Sequence, residues 1–462
     1  MRKLWMLCVV FLVFLFCSGL AYGAEWAKSY GGAKDDYAYS IQQTSDGGYI
    51  VAGSTRSFGV GWDDIWVLKL NANGDVVWQK IYGGSAYDYA NSIQQTSDGG
   101  YIVAGSTWSF GAGNYDIWVL KLDANGTVVW QKTYGGSDWD RAYSIQQTSD
   151  GGYIVAGETY SFGAGNNFWV IKLDANGTVV WQKTYGGSWN ESAKSIQQTS
   201  DGGYIVAGWT RSFGVGWDDF WVLKLDANGD VVWQKIYGGP GYDYANSIQQ
   251  TSDGGYIVAG ETYSFGAGGY DFWVLKLNAN GDVVWQKTYG GSYDDYAKSI
   301  QQTSDGGYIV AGYTDSFGVG WTDIWVLKLN ANGDVVWQKT YGGSSSDYAN
   351  SIQQTSDGGY IVAGCGAGDF WVLKLDANGE IPNCGYMGTS IATVTTPDFL
   401  QRTTTISPST TSVSGVNSDA TITNTNITPS EQCYYNPPPV TVLRPNGGQH
   451  WNAGGSYVIK WD

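Results

Sequence analysis

One stretch dominates the sequence: Ser40-Ile-Gln-Gln-Thr-Ser-Asp-Gly-Gly-Tyr-Ile-Val-Ala-Gly53 returns six more times with few changes. The later copies begin at Ser92, Ser144, Ser195, Ser247, Ser299 and Ser351, so that successive copies lie 52, 52, 51, 52, 52 and 52 residues apart. A fixed period of this length is the signature of a repeat architecture, in which each repeat forms one supersecondary unit. The chain is therefore expected to build a single fold from seven equivalent units.

Each unit reads as four short β-strands joined by glycine-rich turns. In the first complete unit we predict strands at Tyr39 to Thr44, Tyr49 to Thr55, Ile65 to Leu70 and Val76 to Tyr82. Asp46-Gly47-Gly48 and Asn71-Ala72-Asn73-Gly74 separate the strand pairs, and both turns contain residues that tolerate the positive φ of a tight hairpin. The third and fourth strands are apolar at nearly every position, which predicts packing on both faces. Four such strands match one blade of a β-propeller.

The two ends of the repeat array indicate how the blades are joined. The chain opens with Trp26-Ala-Lys-Ser-Tyr30, a fourth strand with no preceding three, and the last unit ends at Leu375 without a fourth strand. If the first strand completes the last blade, the ring closes and no sheet edge is left open. We predict an all-β, seven-bladed β-propeller with four-stranded antiparallel blades, closed by the N-terminal strand.

The repeat also resembles a known family. The pattern Asp-Ala-Asn-Gly-x-Val-Val-Trp-Gln-Lys-x-Tyr-Gly-Gly, followed by Asp-Tyr-Ala and Asp-Gly-Gly-Tyr-Ile-Val-Ala-Gly, is similar to the SBBP-type propeller repeat of bacteria and archaea over about residues 25 to 380. Members of that family are mostly exported or surface proteins, so the resemblance implies a location more than a chemistry. Leu122 to Trp130 is also similar to quinoprotein propeller repeats, but those enzymes usually have eight blades and dedicated cofactor ligands, which this sequence lacks.

The first 23 residues are predicted to be a secretion signal. Arg2 and Lys3 precede an apolar run from Leu7 to Phe16, and Ala21-Tyr22-Gly23 supplies small residues for cleavage after Gly23. The run is too short for a strong membrane-anchor prediction, so we do not expect an integral membrane protein. The net charge of −17 and the pI of about 4.3 make nucleic acid an unexpected partner, because nucleic-acid binding needs a basic surface.

Residues 24–384 are assigned to the propeller, and two further segments follow. Residues 385–439 form a Thr/Ser-rich extension that ends in Pro437-Pro-Pro439 and is either a solvated stalk or irregular β-structure. Residues 440–462 resemble the start of a Kre9/Knh-type β-sandwich module and are too few to complete one. We expect a monomeric propeller within a longer extracellular chain.

Three cysteines remain after removal of the signal. An exported compartment permits disulfides, and we favour Cys384 with Cys433, with Cys365 to Cys384 as the alternative. One thiol is left over in either case.

Two connections differ strongly between copies, and in a propeller both emerge on the same face. One follows Tyr-Gly-Gly and the other joins the second and third strands. Loops on a rigid scaffold commonly carry recognition residues. Aromatic residues in or beside these loops form the predicted ligand-binding set: Trp62, Trp108, Trp139, Tyr160, Trp189, Trp209, Trp217, Tyr263, Tyr313 and Trp321. Aromatic faces next to carboxylates suit sugar rings, and packing of the loops against their own blades is the alternative.

Little in the ring supports catalysis. His450 is the only histidine and lies outside the repeats, which excludes a Ser-His-Asp triad and a histidine-ligated zinc from the propeller. We predict no metal and no cofactor. Glu191, in a variable connection, with a neighbouring Asp is the best available acid/base pair for glycoside cleavage.

These observations favour an exported, non-catalytic binding or adhesion module at a cell surface. Its partner would be a glycan or a surface protein. A structural surface-layer spacer without a ligand is the alternative, and a carbohydrate-active or quinone-dependent enzyme is third.

Overall fold

The computed structural model describes residues 25–382 and 384–395, together with the backbone of seven short segments: 402–403, 409–410, 416–417, 421–424, 430–434, 441–444 and 447–450. Side chains are described through residue 393. The predicted signal peptide, with cleavage after Gly23, lies outside the described residues. Within the described part, no helix is long and apolar enough to cross a membrane.

The repeats form seven antiparallel sheets arranged around one axis, and each sheet takes four strands from the repeat array. The first strands line the axis: β2 (Asp36–Gln43), β6 (Asp88–Gln95), β10 (Asp140–Gln147), β14 (Glu191–Gln198), β18 (Asp243–Gln250), β22 (Asp295–Gln302) and β26 (Asp347–Gln354). The second strands are β3 (Tyr49–Thr55), β7 (Tyr101–Thr107), β11 (Tyr153–Thr159), β15 (Tyr204–Thr210), β19 (Tyr256–Thr262), β23 (Tyr308–Thr314) and β27 (Tyr360–Gly366). We number the blades 1 to 7 in this order.

The third and fourth strands complete each blade toward the outside. The third strands are β4 (Asp64–Leu70), β8 (Asp116–Leu122), β12 (Asn167–Leu173), β16 (Asp219–Leu225), β20 (Asp271–Leu277), β24 (Asp323–Leu329) and β28 (Asp369–Leu375). The fourth strands are β5 (Val76–Gly83), β9 (Val128–Tyr134), β13 (Val179–Tyr185), β17 (Val231–Tyr237), β21 (Val283–Gly290), β25 (Val335–Tyr341) and, in blade 7, β1 (Trp26–Tyr30).

The ring closes as predicted. Trp26 pairs with Lys374 and Tyr30 pairs with Phe370, so the N-terminal strand is the fourth strand of blade 7. Trp26, Ala27 and Tyr30 are all buried. The predicted all-β, seven-bladed fold is confirmed.

Two details of the strands differ from the prediction. The first strand of blade 1 begins at Asp36 rather than Tyr39, because Asp36 pairs with Thr55 across the hairpin. The second and third strands are buried along nearly their whole length, but the fourth strands are not. Val77 of β5 is 59% exposed, because the blades diverge with distance from the axis and leave the outer strand without a neighbour on one face.

Apolar layers between adjacent blades hold the ring together. Ile50, Val67 and Tyr82 of blade 1 pack against Val103 and Trp118 of blade 2, and equivalent clusters join the other neighbouring blades. Every Asp-Gly-Gly turn is tied to the third strand of its blade by a buried lysine, such as Lys69, whose Nζ lies 2.9 Å from Asp46 Oδ2. We call the face that carries these turns the turn face.

The C-terminal extension encircles the ring and adds a fifth strand to every blade. Its strands pair with the fourth strands of blades 6, 5, 4, 3, 2, 1 and 7 in that order, opposite to the order of the blades. They are β29 (Met387–Thr389), β30 (Thr393–Thr395), β31 (Arg402–Thr403), β32 (Ser409–Thr410), β33 (Val416–Asn417), β34 (Thr421–Asn424) and β35 (Ser430–Tyr434). The extension thus covers part of every outer sheet edge that would otherwise be open to other chains.

The residues of the extension that pair with the same position of successive blades lie seven residues apart. In the order followed by the extension, the residues paired with the lysine of the fourth strand are Thr389, Thr403, Thr410, Asn417, Asn424 and Glu431. Blade 5 lies between the first two, where Thr395 pairs with Thr288. The Thr/Ser-rich extension therefore contains strands at a regular spacing that matches the spacing of the blades.

Tyr386 of the extension completes the shortened loop of blade 7. In the other six blades a Ser-Phe-Gly loop places a phenylalanine ring on the tryptophan of the third strand, as Phe58 does on Trp66 at 5.3 Å. Blade 7 lacks that loop, and the Tyr386 ring lies 6.2 Å from the Trp371 ring instead. The short Gly364-Cys-Gly-Ala-Gly-Asp369 loop therefore belongs to the seam between the repeat array and the extension.

Cys384 is disulfide-bonded, and Cys365 is a free, buried thiol. The alternative bridge between Cys365 and Cys384 is therefore wrong. The side chain of Cys433, the favoured partner, lies outside the described residues. After the extension, β36 (Thr441–Arg444) and β37 (Gly447–His450) form a separate two-stranded hairpin.

Candidate functional site

The two variable connections meet on one face of the ring, which we call the variable face. The loop between the second and third strands of blade 1 contacts the connection that leads into blade 2. The Trp62 ring stacks on the Tyr87 ring with 6.0 Å between centroids, and the Asp88 backbone N–H donates to the Asp63 carbonyl over 2.7 Å. Equivalent backbone contacts join Asp140 to Tyr115 and Asp243 to Asp218.

Eight of the ten predicted binding residues are large exposed side chains on this face. Their exposed fractions range from 39% for Tyr160 to 83% for Trp321, and Trp209 and Tyr313 are half-buried. They do not form one continuous patch. Trp189 and Trp321 contact no other aromatic ring among the described residues, whereas the other eight join two separate aromatic arcs.

The first arc crosses blades 1 to 3. Five successive ring contacts of 5.5 to 6.5 Å link Trp62, Tyr87, Trp108, Tyr115, Trp139 and Tyr160. The second arc crosses blades 4 to 7 and contains Trp209, Trp217, Tyr242, Tyr244, Tyr263, Tyr270, Tyr296, Tyr313 and Tyr348. These side chains pack against one another between blades and keep part of their surface in solvent.

A cleft of about 400 Å³ lies between the first arc and the axis. We call it the axial cleft. Its walls come from the first three blades and combine phenol rings with charged and amide groups. The lining residues are Tyr37, Tyr39, Ser54, Arg56, Asp63, Tyr89, Asn91, Ser106, Tyr115, Arg141 and Tyr143.

Two serines create the space for the axial cleft. Ser54 and Ser106 occupy the same position in the second strands of blades 1 and 2, opposite Tyr37 and Tyr89 of the first strands. In blades 3 to 6 larger side chains occupy this position, namely Glu158, Trp209, Glu261 and Tyr313, and blade 7 has Cys365, which is only slightly larger than serine. The cleft therefore follows from small side chains in two neighbouring blades.

One wall of the axial cleft carries an ion pair with a phenol. The Arg56 Nε donates to Asp63 Oδ1 over 3.0 Å, and the Tyr89 hydroxyl donates to Asp63 Oδ2 over 3.3 Å. Burial raises the pKa of Asp63 even though the charge of Arg56 opposes this effect. The guanidinium and the phenol remain at the cleft wall, and both present flat surfaces to it.

The opposite wall carries a second charged group. The Arg141 guanidinium lies 4.9 Å from the Tyr115 ring centre and 5.1 Å from the Trp139 ring centre, within the range of cation–π contacts. It lies 3.7 Å from Glu158 Oε1, which also accepts a 2.9 Å hydrogen bond from the Tyr143 hydroxyl. Arg141 thus links the exposed aromatic arc to the charged groups near the axis.

Two lysines lie deeper, near the axis. The Lys194 Nζ sits 3.4 Å from the centre of the Tyr143 ring, and Lys298 Nζ lies 3.2 Å from Glu261 Oε1. Burial lowers the pKa of Lys194 to about 8, although Glu158 acts in the opposite direction. Burial acts to raise the pKa of Glu158, but the charge of Lys194 and several hydrogen bonds outweigh it and lower that pKa.

The sequence prediction missed the axial cleft because it searched the loops. The cleft residues Tyr37, Tyr89 and Arg141 lie on first strands, outside the predicted ligand-binding set. Yet the first strands differ at three positions: Asp36-Tyr-Ala-Tyr-Ser40 becomes Asp140-Arg-Ala-Tyr-Ser144 and then Glu191-Ser-Ala-Lys-Ser195. Variation inside an otherwise repeated strand was the signal available in the sequence.

Glu191, the candidate acid/base residue, lies in the structural position of a repeated aspartate. It is fully buried, and its carboxylate accepts hydrogen bonds from the Gly187 and Ser212 backbone N–H groups over 2.9 and 3.1 Å. Asp88 makes the equivalent bond to the Gly84 N–H in blade 2. Glu191 therefore holds the connection between two blades.

Three segments of the chain, residues 96–128, 148–179 and 251–283, match the family model described as a domain of unknown function (DUF5122) beta-propeller. Each segment begins at the end of a first strand and runs through the second and third strands of the same blade. The chain is a β-propeller repeat protein. No curated protein matches it in sequence.

Solved structures with a similar fold have low sequence identity to this propeller. Sqt1 from Chaetomium thermophilum is 12% identical, with 79% of this chain and 87% of that chain covered and a TM-score of 0.43. The Pan2 WD40 domain of Neurospora crassa is 13% identical, with 74% and 89% covered and a TM-score of 0.41. A glucose dehydrogenase is 9% identical, with 76% and 98% covered and a TM-score of 0.31.

Proposed function

We propose that this propeller is an exported, non-catalytic binding module of a cell surface that holds a carbohydrate in the axial cleft. The observation that carries the proposal is the cleft of about 400 Å³, walled by tyrosines, two arginines and an aspartate. Its volume falls within the range of roughly 300 to 1,000 Å³ that is typical of small-molecule sites. The resemblance of the repeats to SBBP-type propellers and the predicted signal peptide support export.

The chemistry of the walls favours a sugar over other small ligands. Phenol faces stack on the C–H faces of sugar rings, and guanidinium, carboxylate and amide groups bond to ring hydroxyls. Arg56 offers guanidinium N–H donors to the cleft, and the buried Asp63 carboxylate holds it in place. The acidic surface of the protein, with a net charge of −17, disfavours nucleic acid as the ligand.

Binding would be tested on a glycan array with a chain that starts at residue 25. A hit would then be titrated against variants. The Ser106→Trp variant is expected to weaken binding at least tenfold, because an indole at this position would fill the cleft. The variant should fold, since Trp209 occupies the same position in blade 4.

Two controls separate the cleft from the exposed tryptophans. Trp189→Ala and Trp321→Ala remove side chains that lie on the variable face outside the cleft, and both should leave binding unchanged. If these variants abolish binding and Ser106→Trp does not, the ligand is held by the loops of the variable face and not by the axial cleft.

A spacer or an enzyme would give different results in the same experiment. A chain that binds no glycan, peptide or cell-wall preparation would favour a structural spacer. Release of reducing ends from a polysaccharide panel would replace the binding proposal with a carbohydrate-active enzyme.

A further inference from the structure

A second cavity lies on the axis, at the turn face. It has a volume of about 240 Å³ and is lined by one isoleucine and one glutamine from each blade. The glutamines are Gln42, Gln94, Gln146, Gln197, Gln249, Gln301 and Gln353. The isoleucines are Ile41, Ile93, Ile145, Ile196, Ile248, Ile300 and Ile352, and each is at most 5% exposed. We call the seven glutamines the axial glutamine ring.

The orientation of every amide in the axial glutamine ring is fixed by a neighbouring blade. The Gln95 backbone N–H donates to Gln42 Oε1 over 2.6 Å, and the Gln147 N–H donates to Gln94 Oε1 over the same distance. The other five glutamines accept equivalent 2.6 Å bonds, which completes the circle. A backbone N–H can donate only to the amide oxygen, so the position of each Nε2 group is determined.

The nitrogens of the axial glutamine ring have no acceptor among the described residues. Each Nε2 carries two N–H donors, whereas each Oε1 is already used. The ring therefore presents many donors and few acceptors around one cavity. Carboxylates of the same turns, such as Asp46, are ion-paired with buried lysines.

N–H donors that converge on one place and have no acceptor commonly form an anion-binding site. We propose that the axial glutamine ring binds a small inorganic anion on the axis at the turn face. The isoleucine ring forms an apolar layer behind it and restricts the approach of water from the variable face. The cavity is large enough for an anion with several water molecules, each of which takes up about 30 Å³. This site is independent of the carbohydrate proposal, because it uses different residues on the other face.

Bromide is a suitable probe because it scatters anomalously and is otherwise inert. Crystals of the chain from residue 25 soaked in sodium bromide should show an anomalous peak on the axis within about 3.5 Å of several Nε2 atoms. In solution, sodium bromide should raise the Tm relative to sodium gluconate at equal ionic strength. Sodium sulfate, tested in the same way, shows whether an oxyanion is preferred to a halide.

A matched pair of variants tests the role of the ring. Gln94→Glu keeps the oxygen that accepts the Gln147 N–H but places a carboxylate in the cavity, and should weaken bromide binding at least tenfold. Gln95→Glu adds the same charge on the same strand and keeps the oxygen that accepts the Ser45 N–H over 2.8 Å. Gln95 does not line the cavity, so this variant should bind bromide like the unchanged chain.

Three results would overturn the proposal. The first is the absence of a bromide peak on the axis. The second is a peak at crystal concentration without any effect of bromide on Tm in solution. The third is an equal response of the Gln94→Glu and Gln95→Glu variants, which would point to a general effect of charge rather than to the ring.

Discussion

A chain that begins at residue 32 is expected to lose cooperative folding, whereas a chain that begins at residue 25 keeps it. The shorter chain lacks β1, so the edge of β28 from Phe370 to Lys374 loses its partner. It also lacks the buried side chains of Trp26, Ala27 and Tyr30. Truncation of one buried tryptophan to alanine alone costs about 3 to 5 kcal/mol, comparable to the total stability of many domains.

Thermal unfolding followed by near-ultraviolet circular dichroism would compare the two chains. The shorter chain should show no cooperative transition and should aggregate through its open edge. A synthetic peptide of residues 25–31, added in excess, should restore the transition by replacing the missing strand. Equal Tm values for the two chains would contradict ring closure by β1.

The stability of the propeller is expected to be highest at mildly acidic pH. Carboxyl groups at the starts of third strands are buried near a second carboxyl from the following blade. Burial, with a smaller effect of Asp140, raises the pKa of Asp116 to about 7, and burial likewise raises the pKa of Asp271 and Asp323 to about 7. These groups bind protons more tightly in the folded chain than in the unfolded chain. Their contribution to the free energy of unfolding is therefore complete below pH 3.8 and is lost as the pH rises through 7.

The aspartates of the turn face have the opposite effect. Burial acts to raise the pKa of Asp98, but hydrogen bonds from Thr96 and Lys121 outweigh it and lower that pKa to about 2. Its contribution is present above pH 3.8 and is lost as the pH falls toward 2. The Tm should therefore rise by several degrees from pH 8 to pH 5 and fall again below pH 4.

The repeats contain an internal control for this pH dependence. Asn167 occupies the position of Asp116 in blade 3, next to Glu191, and an amide resembles a protonated carboxyl. In blade 3 the Asn167 Nδ2 donates to the Phe162 and Gly165 carbonyls over 3.2 Å, so an amide at this position is hydrogen-bonded without a buried charge. Asp116→Asn should raise the Tm at pH 8 and have little effect at pH 5. A Tm that is the same at pH 8 and pH 5, or a variant destabilised equally at both, would contradict this assignment.

The fold was predictable because the repeat is long and nearly uniform. Seven copies with two hairpin turns each determine the blade, and the unmatched strands at Trp26 and Leu375 indicate the closure. The extension was not predictable in the same way. Its strands are only two to five residues long and rich in Thr and Ser, so the short apolar alternation, as from Ala420 to Thr428, indicates some strand content but does not locate the strands, and the seven-residue spacing becomes visible only against the blades.

The candidate site was predicted only in part. The exposed tryptophans were found because they stand out in loops that differ between repeats. The axial cleft was missed because it exists only where side chains are small. Ser54 and Ser106 occupy the position that Trp209 and Tyr313 fill in other blades. Small residues in a strand normally indicate close packing, and only the three-dimensional arrangement around the axis shows that here they leave space.

The most direct test of the binding proposal is a crystal structure of the chain from residue 25 with the best-bound oligosaccharide of a glycan array. We expect density for a sugar ring in the axial cleft, in contact with Tyr37, Tyr89 and Arg141. Density only on the exposed tryptophans of the variable face, or on the turn face, would contradict the binding proposal.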